Sequence, residues 1–294
     1  MDGGGFLSPR EYSRELVDDM NLGGMVRMGY DAATIGEYDL RNGAAYLLAR
    51  AAETGLPLVS ANVRDAATGN LLVAPFVVVE RGGVRFAITG VLAADTEVRL
   101  SRDVETSGVT MDDPAQALTA LVPELRKKAG FVVVLAHLGL DRSKELVQTV
   151  PGIDYLVVGN QSNFAASMFD VGTTAFLQPG YKGQYVSVAR LNFGADAAFL
   201  GDEGQGLPMD DKAPADASMA LLVKEHKAAV DRLGRERAAE QVQAEAKRRI
   251  EQGEACIGAE GSCRRCHAEQ YDQWATTAHA RAYETLEKIG RAHV

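Results

Sequence analysis

The run Phe131-Val132-Val133-Val134-Leu135-Ala136-His137 is apolar at every position until its last. A strand with one face in water alternates apolar and polar side chains, so a run without alternation is buried on both faces. Asp154-Tyr155-Leu156-Val157-Val158 has the same character. A short helix is expected between them, from Asp141 to Val150. Another precedes them, from the Asp113-Pro114 cap to about Lys128. Strands alternating with helices in this way predict an α/β fold with a sheet covered on its faces.

The same logic organises the N-terminal half. Ser8-Pro9-Arg10-Glu11 is a capping box with proline at the first helical position, and it predicts a helix to about Met28. Gly29 to Gly43 reads as a short buried strand, Ala32 to Ile35, ending at Gly36; a polar turn follows, then a helix from about Asn42. Strand ends that feed turns are where α/β folds place their chemistry. Leu58 to Asn62 reads as a strand, and Arg81-Gly82-Gly83 as the turn of a hairpin between Phe76–Glu80 and Val84–Val91. Phe176 to Gly180 and Tyr185 to Phe193 read as closing strands. From Gly194 to Asp216 the chain turns to Gly, Asp and Pro, which predicts a linker. Ser218 to Gln252 is rich in Ala, Glu, Lys, Arg and Gln and predicts one or two solvated helices. The expected domains are 1–195, a linker over 196–216, a helical connector over 217–252 and a separate segment over 253–294.

The net charge of −9 argues against a nonspecific nucleic-acid binder. No apolar run reaches the ~20 residues of a membrane span. Met1 to Phe6 lacks the basic start and apolar core of a signal peptide. All three cysteines fall between Cys256 and Cys266, which suggests one local site rather than a disulfide framework.

Several segments resemble the 5′-nucleotidase and UDP-sugar hydrolase family of metallophosphoesterases. Gly29-Tyr30-Asp31-Ala32 followed by Gly36-Glu37-Tyr38-Asp39 is similar to its "GYDA…GNHE", and Ser60-Ala61-Asn62-Val63 to its "SANV". Leu135-Ala136-His137-Leu138-Gly139 is similar to "L-x-H-L-G". Val150-Pro151-Gly152-Ile153-Asp154 with Gly159-Asn160-Gln161-Ser162 is similar to "vpgiD…GHxH". The resemblance covers about residues 1–195 and implies a four-layer α/β/β/α sandwich. It also implies a two-metal site that binds phosphoryl oxygens and activates water. Only His137 falls on a family metal ligand. Glu37 and Tyr38 stand where the family has Asn and His, Asn160 and Ser162 where it has two histidines, and Gly5 where it has the bridging Asp. The family's earliest motif, Asp-x-His, would lie before Met1. Glu37, Asp39 and His137 are the remaining candidates for a weaker site. The alternative for His137 is a hydrogen bond to a backbone group at a strand end. A bound divalent metal is not expected.

Cys263-Arg264-Arg265-Cys266-His267 carries the strongest chemical signal. Two thiols at this spacing add to the two vinyl groups of haem, and the following histidine ligates the iron. A zinc site that also uses Cys256 is the rival, but adjacent Cys266 and His267 suit one tetrahedral ion poorly. Cys263 to Arg281 resembles the "CxxCH…W…HA" pattern of multihaem cytochromes c, in which the second histidine, here His279, is a distal haem ligand. His279 follows His267 by 12 residues, ~18 Å along a continuous helix. Two axial nitrogens of one iron sit about 4 Å apart. On a continuous helix His279 would therefore serve a neighbouring haem.

The sequence thus predicts a periplasmic or otherwise extracytoplasmic cytochrome carrying haem c and exchanging electrons with redox partner proteins, here as an internal fragment. A degenerate phosphoesterase-like domain would act as scaffold. Two other functions remain open at this point: an active hydrolase of nucleotides or other phosphate esters, and a module that binds a nucleotide or anion without cleaving it.

Overall fold

A computed structural model describes residues 1–7, 14–95, 108–160, 166–180, 183–195, 198–252, 264, 267–278 and 280–281. The chain divides into two units, Met1–Val230 and Asp231–Val294.

The first unit is built on a six-stranded sheet. Its strands are β4 (Phe76–Arg81), β5 (Val84–Leu92), β7 (Phe131–His137), β8 (Tyr155–Val158), β10 (Thr174–Gln178) and β9 (Ser167–Val171), in that spatial order. β5, β7, β8 and β10 run parallel, with β4 and β9 antiparallel on the two edges. The expected hairpin is β4–β5, with Arg81 paired to Val84 across Gly82 and Gly83. Two smaller pairs are β1 (Ala33–Thr34) with β2 (Leu58–Val59), parallel, and β3 (Val63–Asp65) with β6 (Val109–Met111), antiparallel. Asp2 extends the first pair by a parallel bridge to Ala33.

Strand parity sorts the core into layers. Val132, Val134 and Ala136 of β7 face α3 (Pro114–Arg126) and α4 (Leu140–Thr149), together with Leu118, Val122, Leu125 and Leu146. Phe131, Val133 and Leu135 point the other way, onto Ala32, which precedes β1, and Val59 of β2. Beyond that pair, α1 (Arg14–Arg27) and α2 (Ala44–Thr54) close the outer face with Leu22, Met25, Ala44 and Leu47. The result is a four-layer α/β/β/α sandwich, as expected. Each fully buried Leu, Ile or Phe contributes roughly 1.5–3 kcal/mol, so two interior layers give this unit its stability. Caps follow the sequence: the Asp113 carboxylate accepts from the Gln116 amide at 2.9 Å, and Gly55 ends α2 in the left-handed conformation. The capping box at 8–11 lies outside the described residues.

The expected linker is replaced by structure. β12 (Phe199–Pro208) lies inside the stretch that composition marked as a connector and pairs antiparallel with the expected closing strand β11 (Tyr185–Phe193). The glycines that suggested flexibility serve close packing instead. A Cβ on Gly204 would lie 2.1 Å from the Met168 Cβ, and one on Gly206 would lie 2.8 Å from the Ala166 carbonyl oxygen. The long helix is continuous, α5 (Ala217–Glu251). In the second unit, α6 (Ala268–Ala275) follows His267. Among the described residues no helix is long and apolar enough to cross a membrane.

Candidate functional site

The carboxyl ends of the first unit's strands meet around His137. Strand parity aims this residue into the layer between the two sheets, and it is 4% exposed. Its Nδ1 lies 2.7 Å from the Gly3 carbonyl oxygen. A carbonyl only accepts, so Nδ1 carries the proton and the lone pair of the neutral ring is on Nε2. Metal-binding histidines are often oriented in this way, and so are purely structural ones.

What surrounds His137 is mostly glycine backbone. A Cβ on Gly5 would stand 3.5 Å from His137 Cε1, so this position lies beside the imidazole. A Cβ on Gly36 would stand 2.7 Å from the same atom and 2.4 Å from the Gly5 nitrogen. One on Gly159 would stand 2.3 Å from the Gly3 oxygen. The segment Gly3–Gly5 and the ends of β1 and β8 therefore approach one another through backbone.

Asp39 holds this junction from within. It is fully buried, and its Oδ2 accepts from the Gly5 amide at 2.8 Å and the Gly36 amide at 2.7 Å. Oδ1 accepts from the Leu7 amide at 2.8 Å. Burial pushes its carboxyl up to about 7, against the pull of those three amides, and the Asp2 charge pushes in the same direction. Asp2 was not singled out in the sequence. Its carboxyl is also raised by burial, and it accepts from the Gly4 amide at 2.9 Å. The signal available was its place directly before three glycines, a stretch with no side chains of its own.

Glu37 is half-buried in the turn after β1, and Tyr38 is 43% exposed. Asn160 follows β8 in a left-handed conformation, φ 54°. Ser162 lies outside the described residues. Asn62 is committed to structure: Nδ2 donates to the Leu92 and Asp112 carbonyls, and Oδ1 accepts from the Leu92 amide. Two divalent ions need several carboxylate and imidazole ligands converging within a few Å. Among the described residues no three His, Cys, Asp or Glu side chains converge in this way. Around His137 the described donors are its imidazole, backbone groups and the Asp39 carboxylate, which is turned onto backbone amides.

In the second unit, His267 is exposed at the N-cap of α6, with φ −133° and ψ 53°. Cys256, Cys263, Cys266 and His279 lie outside the described residues. The helix does not run through from His267: it begins at Ala268 and ends at Ala275. Thr276 and Thr277 turn their hydroxyls onto the Gln273 and Trp274 carbonyls, each at 2.7 Å, and so compete with continuation of the helix. The ~18 Å rise assumed a helix unbroken from position 267, whereas α6 ends at Ala275.

Comparison with known proteins agrees with this fold. The 5′-nucleotidase of Vibrio cholerae is 28% identical over 131 residues, 44% of this chain and 24% of the relative. The chain thus spans about a quarter of that relative's length. Among solved structures, the sulfate thiohydrolase SoxB of Thermus thermophilus superposes with a TM-score of 0.68 at 18% identity, covering 77% of this chain and 42% of its own. A 5′-nucleotidase precursor of Thermus thermophilus gives 0.64 at 24% identity, covering 74% and 47%. The first unit has the metallophosphoesterase fold of the 5′-nucleotidase type. Residues 262–294 match a different family, described as cytochrome c554 and c-prime.

Proposed function

We infer that this protein carries electrons outside the cytoplasm through covalently bound haem c. Residues 253–294 would belong to a multihaem cytochrome segment, and the 5′-nucleotidase-like unit would serve as a scaffold or docking element for redox partner proteins. The observation that carries this reading is the motif Cys263-x-x-Cys266-His267 inside the segment that matches the cytochrome family. The donor set fits the group. Each thiol adds S–H across one vinyl C=C, so nothing leaves, and the histidine that follows directly supplies an imidazole to the iron. Haem bound there would supply one-electron chemistry. His267 would hold the iron from one side, the two thioethers would prevent its loss, and His279, by the multihaem resemblance, would be a distal haem ligand.

The test is expression with an export signal in a host that matures c-type cytochromes. The expected mass exceeds that of the polypeptide by one haem, matching the single C-x-x-C-H. Replacing both Cys263 and Cys266 by serine removes the added mass. An exported protein of unaltered polypeptide mass overturns the reading.

The likeness to 5′-nucleotidases favours a second reading, hydrolysis of a nucleotide or another phosphate ester. The residues present argue against it: backbone and Asp39 amide bonds occupy the space around His137, and Gly5, Glu37, Tyr38 and Asn160 stand where the resembled family has ligands. The expected result with Mn²⁺, Zn²⁺ or Co²⁺ is no nucleotide turnover in the usual range of roughly 1–10³ s⁻¹. Turnover in that range, lost on His137→Ala, would establish the hydrolase instead.

A further inference from the structure

We propose that the open edge of β4 pairs antiparallel with β4 of a second copy of this chain, about a two-fold axis at Val78. β4 and β9 are the two edges of the six-stranded sheet. β12 presses onto β9 through Gly204 and Gly206, which lie against Met168 and Ala166. Among the described residues no strand pairs with the outer side of β4. Its sequence, Phe76-Val77-Val78-Val79-Glu80-Arg81, holds three β-branched residues in a row, and Val78 is 40% exposed. Strand edges of this kind invite a partner strand.

The hairpin turn fixes which backbone groups face outward. Gly82 and Gly83 have φ of 59° and 80°, the left-handed pair of a two-residue type I′ turn. Arg81 and Val84, which close that turn, exchange hydrogen bonds, and by alternation so do Val79 with Phe86 and Val77 with Ile88. Phe76, Val78 and Glu80 are left with N–H and C=O directed away from β5. The Glu80 carbonyl accepts at 3.0 Å from the guanidinium of its neighbour Arg81, as an outward-facing group can.

A two-fold at Val78 sets Val78 opposite its own copy and Phe76 opposite Glu80. Each outward residue then meets an outward residue, and each such pair exchanges two hydrogen bonds. Val77 and Val79 fall opposite each other on the face that carries Val133 and Leu135. The charges select this register. The Lys128 ammonium lies 6.0 Å from the centre of the Phe76 ring. Glu80 of the second copy arrives opposite Phe76 and on the same face, so its carboxylate meets that ammonium, and the two-fold repeats the contact. An axis at Glu80 would instead oppose two carboxylates.

The test is sedimentation equilibrium of the full chain over a range of concentrations. Strand pairing with few flanking contacts is a small interface, so a reversible, concentration-dependent dimer is expected. Lys128 is exposed beyond the end of α3, so its substitution leaves the fold intact. Lys128→Glu sets a carboxylate beside Glu80 of the other copy at both contacts, and the dissociation constant should rise about tenfold or more. Adding Glu80→Lys reverses both charges and should restore association. Val78→Pro removes the central outward N–H, which β5 does not use, and should also weaken the dimer. A chain that is monomeric throughout, or a dimer unmoved by Lys128→Glu or by Val78→Pro, overturns the proposal. A dimer weakened by Lys128→Glu and not recovered by the double variant overturns the axis at Val78.

Discussion

Alanine at Gly90 should destabilise the first unit by about 3 kcal/mol or more, near the upper end of overpacking substitutions. The reason lies in how closely the two sheets approach. A Cβ on Gly90 would fall 2.0 Å from Thr34 Oγ1, 2.4 Å from Thr34 Cβ and 2.8 Å from the Val59 carbonyl oxygen. Two of these three atoms cannot rotate away, so relief requires the β1–β2 layer to lift from β5. That movement would open the layer that Ala32, Val59, Val133 and Leu135 fill. Urea unfolding of the variant would show a lowered midpoint. Adding Thr34→Ala removes only the hydroxyl contact, so recovery should be partial, and the double variant should couple strongly to the single ones. A midpoint within experimental error of the parent would show that the layers slide without cost.

Asp39→Ala should cost a comparable amount for a different reason. It leaves the amides of Gly5, Leu7 and Gly36 without their acceptor inside the protein. Each unmet buried donor costs about 1–3 kcal/mol, so a loss of at least about 3 kcal/mol is expected. Asn keeps one accepting oxygen and should fall between the two.

The same residue makes stability depend on pH. Its carboxyl titrates at about 7 in the folded protein, raised by burial, whereas an aspartate in an unfolded chain titrates near ~3.9. Between those values the folded state holds a proton that the unfolded state has released. The contribution of Asp39 to stability therefore declines as pH rises from about 4 to about 7, and it is level above that window. Asp39→Asn removes the titrating group, so its stability should vary less with pH over the same interval. Equal slopes for parent and variant would place the titration elsewhere.

Much of the first unit was legible because its central strands carry no alternation and α3 carries its cap. Phe131 to Val134 names a strand buried on both faces whatever its neighbours are. Asp113-Pro114 names a helix start through chemistry local to four residues. The stretch 199–208 was not legible, because Gly201, Gly204 and Gly206 satisfy two opposite demands. Glycine lowers strand propensity, yet it is the residue that lets β12 press against Met168 and Ala166. Only the packing distinguishes these, and packing is not a local property. The candidate site divides in the same manner. His137 at a strand end was visible from the run that precedes it. The commitment of Asp39 to three amides was not, because those amides arrive from residues up to 34 positions away. The motif Cys263-x-x-Cys266-His267 is read from spacing alone and needs no fold.

β7 is paired on both sides, residue by residue, with β5 and with β8. Sliding it by one position would turn its whole apolar set over, and both neighbours resist that. The place where residue 137 emerges is consequently inherited with the sheet, whereas the side chain found there is a single codon's choice. Location and chemistry can then drift at different rates. A scaffold of this kind can lose a reaction one residue at a time and still present the same positions to whatever use comes next.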